Sequence, residues 1–329
     1  MSFWQKACVK LAAFLKSALA LALFECSSYI AVFSFLFFGI DRKIYRGAYN
    51  FLTSVLIFAA MFVFHKISSR KKEPLIRLGK LRPDQVAALI IVGIGMLGFV
   101  TTYLNIAKMI AQYLEPVSEA VEEYHDSVDR FSDVPQTVVP VWDSLLYIFT
   151  LCFIVPVTEE MTFRGAAFGQ LRKGFGPWTS VVLSALFFGL FHGLTVHIGY
   201  AFVCGLIIAS CYYLTDSLFA PVLLHMVFNI IGSGLPTFLS LEFLGIPDEK
   251  TIPFMMGLNT VCIIFMPVAV FAFVYLISVK RKLAKQAAAN SEIIAVSSAE
   301  DLKNSADAVS ADSNGISGLP GTDESGETT

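Results

Sequence analysis

The sequence is poor in charged residues and has no marked excess of either sign. Asp, Glu, Lys and Arg make up 15% of its 329 residues, whereas 56% are hydrophobic, and the mean hydropathy is +0.68. Soluble domains carry about 25% charged residues, so this composition excludes an ordinary soluble protein and indicates a chain that lies in a lipid bilayer. The formal net charge of −2 lacks the basic excess of nucleic-acid-binding proteins, so we expect no nucleic-acid partner.

Cysteines are few and lack the spacing of disulfide frameworks or metal sites. None of the six belongs to a CxxC pair, and nearly all lie inside apolar segments, which predicts small buried side chains. A cleaved signal peptide is not expected either. The first apolar run continues from about 11 to 40, longer than the apolar part of a signal peptide, so we expect it to stay as a membrane anchor.

Long apolar runs take up most of the chain. A spanning helix needs roughly 20 mainly apolar residues, and this criterion predicts an all-α fold, a polytopic transmembrane helix bundle of about eight spans. The predicted spans cover 18–38, 49–64, 86–107, 142–162, 179–194, 198–214, 221–235 and 254–278.

These spans divide the chain into four regions. Residues 1–140 hold three spans, a basic loop and an acidic amphipathic helix, and residues 141–238 form the expected catalytic core. The last span lies in 239–286. Residues 287–329 contain no aromatic side chain and are too polar to offset the entropy lost on ordering, which predicts a disordered cytoplasmic tail.

The distribution of basic residues predicts the orientation. They cluster before the first span and in the loops after the second, fourth and last spans, and cytoplasmic loops are the basic ones. We therefore expect a multi-pass protein of the cell membrane with both termini in the cytoplasm. The loop with Arg42, Lys43 and Arg46 disagrees, because it falls on the predicted outer side.

The predicted outer loop from 115 to 140 is acidic. Apolar residues recur in it at three-to-four spacing, which indicates an amphipathic helix with an acidic face. Such a helix can lie on the outer surface of the bundle or act as a lid that captures substrate. We favour the first interpretation.

Ionisable residues inside the spans are the main functional signal, because each costs at least about 2.5 kcal/mol in the bilayer. The fourth span ends PVTEEMTFRG, where Glu160 and Arg164 lie four residues apart and can form an ion pair on one helix face. Glu159 is rotated by about 100° from its neighbour, so we predict that Glu159 activates water while Glu160 and Arg164 support the helix. The spacing is also compatible with reversed roles, or with a purely structural charge cluster.

The next span reads SALFFGLFHG and places Phe188 and His192 one turn apart. The preceding GFGP turn predicts an antiparallel hairpin, in which His192 lies opposite Glu159 at about the same depth. A lone histidine is more commonly a core residue, but an acid and a base at one depth predict a site. His197, just beyond, is assigned to the membrane interface.

A later span reads APVLLHMVFN and places His225 and Asn229 on one helix face. An imidazole and a carboxamide can both donate hydrogen bonds to a developing oxyanion, although such a pair alone also serves to join helices. The three constellations together favour catalysis by Glu159, His192, His225 and Asn229.

These residues resemble the three motifs of the CPBP (Abi) family of intramembrane proteases, which contains the Ras-converting type of CAAX prenyl endopeptidase. The matching patterns are Glu159-Glu160-x-x-x-Arg164, Phe188-x-x-x-His192 and His225-x-x-x-Asn229. The resemblance implies a helix bundle with a polar catalytic cavity inside the membrane. It also implies hydrolysis of peptide bonds in membrane-anchored or prenylated CAAX-like substrates, with the first glutamate as the base.

The resemblance also raises the question of a metal, because members of this family are commonly labelled metallopeptidases. Glu159, His192 and His225 could hold Zn²⁺ with water as the fourth ligand. Neither histidine lies in an HExxH motif, however, and Glu159 can activate water directly. We favour direct activation.

The leading hypothesis is therefore an intramembrane endopeptidase whose partners are a membrane-anchored peptide or protein and the lipid bilayer. A non-proteolytic scaffold, or an immunity or maturation factor of the same family, is the alternative. A transporter would be expected to show an inverted repeat with broken helices, and the sequence contains no such pattern.

Overall fold

The computed structural model describes residues 2–69, 74–129, 138–193 and 195–314, and most of them are helical. The basic loop residues 70–73, the acidic loop residues 130–137 and the end of the tail at 315–329 lie outside the described residues. The helices are α1 (Phe3–Phe37), α2 (Arg46–Ser68), α3 (Pro83–Ala111), α4 (Glu115–Asp129), α5 (Val141–Gly174), α6 (Pro177–Leu190), α7 (Thr195–Thr215), α8 (Phe219–Leu239), α9 (Asp248–Ile264) and α10 (Met266–Asn314).

The helices confirm an all-α polytopic bundle, and the chain is an integral membrane protein. Six helices of the described part are long and apolar enough to cross a membrane, or up to seven if the bent pair from α9 to Glu292 is one span. The predicted count of about eight includes α6, which has only 14 residues. At 1.5 Å per residue α6 is about 21 Å long, shorter than the roughly 30 Å hydrocarbon core. The orientation stays a prediction.

The C-terminal region differs from the sequence-based expectation. The helix that begins at Met266 continues to Asn314, so residues 287–314, expected to be disordered, are helical. This stretch is rich in alanine and contains neither glycine nor proline. The alanines favour a helix, and the two residues that most strongly oppose one are missing from the stretch. The described residues from 278 onward form a unit separate from residues 1–277.

Helix α5 lies among the other helices of the first unit. Its C-terminal part packs against α1, its N-terminal part packs against α2, and α6 packs along α7. Small residues allow the closest approach: a Cβ on Gly205 of α7 would lie 3.2 Å from both the Cα of Ala185 and the ring of Phe188. Close contact through small residues is how membrane helices gain packing energy without a hydrophobic driving force. The result is a tightly packed wall behind the motif residues.

A buried carboxylate joins α2 to α5. Both oxygens of Asp143 accept backbone hydrogen bonds from the first turn of α2, at 2.7 Å from the nitrogen of Gly47 and 2.8 Å from that of Ala48. Asp143 is fully buried, and a Cβ on Gly47 would collide with the Asp143 carbonyl oxygen. The side chain thus satisfies two N–H groups that a helix start leaves unpaired.

We expect Asp143→Ala to destabilise the protein by about 2 kcal/mol or more, because two N–H groups lose an ionised acceptor where little water can replace it. The measurement is the thermal unfolding midpoint of purified protein in detergent. Asp248→Ala is the matched control: Asp248 also lies in the first turn of a helix, but it is exposed. Equal midpoints for the two variants would contradict this role of Asp143.

Candidate active site

The motif residues lie next to three π-helical segments. These segments span Thr150–Ile154 and Met161–Ala167 in α5 and Ile230–Gly234 in α8. Arg164 is inside the second segment, and Asn229 immediately precedes the third. A π segment widens the helix by one residue per turn and is frequent at functional sites. It turns neighbouring side chains away from the positions that a regular α-helix would give them.

Glu160 is locked into a buried network. Its Oε1 accepts a hydrogen bond from Arg164 Nη1 at 2.9 Å and another from His225 Nδ1 at 2.8 Å. Both side chains of the Glu160–Arg164 ion pair have 0% exposure. Glu160 is therefore held by α5 and α8 together and does not face open space.

Arg164 ties this network to two further helices. Its Nη2 donates to the carbonyl oxygen of Gly205 on α7 at 3.2 Å, and its guanidinium lies 4.4 Å from the ring centroid of Phe188 on α6. The Phe188 ring also contacts the rings of His192, at 4.6 Å, and His225, at 6.0 Å. Phe188 is thus the common packing surface of the two motif histidines and the buried cation.

Glu159 has a different environment from its neighbour. Its side chain is 21% exposed, and its Oε2 lies 4.0 Å from His225 Nε2, too far for a direct hydrogen bond. Among the contacts of the described residues, none joins the carboxylate of Glu159 directly to His192. The carboxylate instead lines a cavity of about 870 Å³.

The same cavity brings the sequence-predicted residues together. Glu159, Phe188, His192, His225 and Asn229 all line it. Glu160 and Arg164 lie behind its wall, fully buried. The adjacent glutamates therefore differ in burial and in charged partners.

His192 lies in a turn, which corrects the sequence-based assignment to a span ending at 194. Helix α6 ends at Leu190, and Gly193 adopts a positive φ of +75°, a conformation that favours glycine and breaks the helix. The His192 Nδ1 still lies 2.6 Å from the Phe188 carbonyl oxygen. A carbonyl can only accept, so Nδ1 carries the proton and Nε2 is left for other partners.

Asn229 uses part of its amide to join α8 to α5. Its Nδ2 donates to the carbonyl oxygen of Leu151, in the first π segment, at 2.9 Å. The amide nitrogen carries two hydrogens, so a second N–H remains. The side chain is 7% exposed and lines the cavity.

Sequence reasoning missed an aromatic group in the cavity wall. His197, assigned to the membrane interface, has its ring 4.4 Å from that of His192 and stacks on Tyr200 at 4.7 Å. Tyr124 of α4 meets the His197 ring at 6.0 Å and also lines the cavity. Helix α4 therefore contributes to the cavity wall as well as to the surface. The sequence did offer one signal for this contact: His192 and His197 are only five positions apart.

The donor groups do not form a ready metal site. Among the described residues, no three His, Cys, Asp or Glu side chains are grouped so that they could hold a metal ion. The candidate histidines His192 and His225 direct Nδ1 at protein acceptors, which leaves Nε2 as the ring atom that could bind a metal. In this arrangement Glu159, His192 and His225 are not grouped closely enough to fit a zinc ligand set.

The fold and the cavity define a class: a polytopic integral membrane protein with acidic, imidazole and amide side chains gathered inside its helix bundle. Residues 141–231, which contain all three motifs, match the family described as "Type II CAAX prenyl endopeptidase Rce1-like". This part of the chain is therefore similar to the CPBP, or CAAX protease, family.

A bacterial relative supports the same family. The chain is 25% identical over 121 residues to "Putative membrane peptidase YdiL" of Bacillus subtilis (strain 168). The alignment covers 36% of this chain and 50% of the relative, so the chain spans about half the length of the curated relative it matches. No solved structure matches the chain.

Proposed function

We propose that the protein is an intramembrane endopeptidase in which Glu159 activates the attacking water. The observation that carries this proposal is the asymmetry between the two glutamates. Glu160 is fully buried between Arg164 and His225, whereas Glu159 opens into the cavity that the other motif residues line. A general base needs access to water, and of the two adjacent glutamates Glu159 is the one that lines the cavity.

The first step is proton removal from water. One water molecule can bridge the 4.0 Å between Glu159 Oε2 and His225 Nε2 when His225 carries protons on both ring nitrogens and Nε2–H donates to the water oxygen. Glu159 takes a proton from this water while the free Nε2 of His192 accepts the other O–H and orients it. The water oxygen attacks the carbonyl carbon of the scissile peptide bond, whose π electrons move to the carbonyl oxygen.

The second step is collapse of the tetrahedral intermediate. The remaining N–H of Asn229, and Nε2–H of His225 when both its ring nitrogens are protonated, donate to the oxyanion. Glu159 passes its proton to the leaving nitrogen as the carbon–nitrogen bond breaks. Glu160 supports His225 through Nδ1 and keeps its ring orientation.

The family description suggests the substrate class. We propose that the substrate is a membrane-anchored or prenylated peptide with a CAAX-like end, because the matching family is described as a CAAX prenyl endopeptidase. A cavity within the bundle can receive a chain that is already held at the bilayer.

The direct test is cleavage of a membrane-anchored reporter peptide library by purified wild-type protein and by Glu159→Gln, with products identified by mass spectrometry. Cleavage by the wild type alone is the expected result. Cleavage by both would remove Glu159 from the mechanism. The non-proteolytic scaffold would be favoured if the wild type cleaved no peptide and if variants of the motif residues kept the cellular function of the wild type.

We expect cleavage to survive removal of metal ions. The described residues form no three-ligand set, so Glu159 is expected to act without a metal. The measurement is the cleavage rate after dialysis against a chelator. Loss of activity that zinc restores would contradict direct activation and would assign Glu159, His192 and His225 as ligands.

A further inference from the structure

Two basic residues line the cavity far along the chain from the motifs. Lys43 and Arg46 belong to the loop between α1 and the start of α2, and both line the same cavity as Glu159. Their loop is the one whose positive charge conflicts with the orientation predicted from all other loops. Basic residues on the predicted outer side run against the positive-inside rule, which makes them candidates for a function.

The Arg46 guanidinium has no ion-pair partner within the described part of the chain. Among the described residues no carboxylate lies within ion-pair distance of its guanidinium, and its buried Nε has no hydrogen-bond partner. The nearby Asp143 directs both oxygens at backbone N–H groups of α2. A partly buried cation in this position is incomplete without an anion.

The position of the guanidinium is fixed nonetheless. It lies 4.5 Å from the ring centroid of Tyr147 on α5, and Tyr147 also lines the cavity. A cation–π contact holds a guanidinium by its face and leaves the N–H groups at its edge free to bind a planar carboxylate. Lys43 is exposed and adds a second, flexible positive charge on the same wall.

We propose that Arg46 and Lys43 form an anion subsite that binds a carboxylate of the peptide substrate within the cavity. The carboxylate comes either from the C-terminus of the peptide or from an acidic side chain. The assignment of a peptide as ligand rests on the proposed function, but binding at the subsite does not require cleavage. A lipid phosphate is the competing ligand, and the placement of both cations on the cavity wall with Glu159 favours the substrate.

The test measures binding to the Glu159→Gln protein in nanodiscs of phosphatidylcholine, which has no net charge. The probes are libraries of fluorescent octapeptides with a palmitoyl group at the N-terminus. Each library is made with either a C-terminal acid or a C-terminal carboxamide. Each of these two forms carries either Asp or Asn at one internal position. We expect about 10-fold tighter binding of peptides that carry a carboxylate, as one charge-assisted hydrogen-bond pair provides. The acid–amide and Asp–Asn comparisons identify which carboxylate is bound.

Variants assign the effect to the subsite. We expect Arg46→Gln and Lys43→Gln to bring the ratio of the Kd values, for peptides without and with a carboxylate, down towards one. The two variants are tested separately, so that the failure of one to fold does not end the test. Arg42→Gln is the matched control, because Arg42 carries the same charge in the same loop but rests on the Tyr49 ring and is absent from the cavity wall. It is expected to keep the preference.

The subsite would be rejected if peptides with and without a carboxylate bound equally well, or if none of the peptides bound. It would also be rejected if the preference for a carboxylate persisted in both variants. A preference that appeared only in nanodiscs with anionic lipid would reject it as well. A carboxylate preference without cleavage by the wild type would support the subsite and reject the proposed function. The two proposals can therefore fail separately.

Discussion

Glu159→Gln is expected to lower kcat by about 10³-fold, within the range that a positioned general base contributes, while KM changes little. Glutamine keeps the shape and the hydrogen-bonding atoms of the side chain but cannot take a proton from water. Because Glu159 is partly exposed and lies 4.0 Å from His225 Nε2, beyond hydrogen-bond distance, the variant is expected to keep its fold. The measurement is the cleavage rate of the best reporter peptide, with the unfolding midpoint measured on the same preparation.

Glu160→Gln is the matched control because it makes the same change one residue along the chain. Glu160 is buried and accepts from two charged or polar donors, so this variant is expected to lower the unfolding midpoint. Activity in Glu159→Gln within 10-fold of wild type would contradict its role as the base. Loss of activity in Glu160→Gln together with retained activity in Glu159→Gln would show that the roles of the two glutamates are reversed.

Local spacing made part of the site predictable. A regular helix places residues four apart on one face, and the structure contains the Glu160–Arg164 ion pair that this spacing suggests. The turn at GFGP and the helix rise also put His192 near the depth of Glu159, and both residues line one cavity. These inferences needed only the geometry of single helices and a short connection.

Irregular helix geometry was not predictable in the same way. The π segments beside Arg164 and Asn229 have no sequence signature, because one extra residue per turn is accepted only where packing and hydrogen bonds of neighbouring helices compensate. The early end of α6 before His192 was also missed. An apolar pattern continues through it, whereas the backbone turns at Gly193.

Local sequence patterns could not predict the contacts between segments that are distant along the chain. Arg46 and Glu159 lie more than a hundred positions apart, and only the packing of α2 against α5 brings their side chains to one cavity. The sequence nevertheless marked the loop of Arg46 as anomalous. A residue that violates a general rule is a useful candidate for function even when its partners are unknown.

Arg164→Ala is expected to be the most destabilising of these substitutions, by about 3 to 5 kcal/mol. It removes the partner of a buried carboxylate and leaves Glu160 with an uncompensated charge. It also removes the hydrogen bond to Gly205 and the contact with Phe188. The measurement is the unfolding midpoint in detergent. Arg77→Ala is the control, because the Arg77–Asp216 pair is 45% and 39% exposed and such pairs contribute at most about 1 kcal/mol.

A double variant distinguishes the destabilisation caused by an unpaired buried charge from the contribution of the intact ion pair to stability. Glu160→Leu with Arg164→Met replaces both ions by apolar side chains and is expected to unfold at a higher temperature than Arg164→Ala, since no buried charge remains unpaired. It is also expected to cleave poorly, because His225 loses the acceptor of its Nδ1 proton and with it a fixed ring orientation. Full activity in the double variant would show that the buried pair serves folding alone. A variant that regained stability but lost activity would show that the function of the ion pair is to position His225.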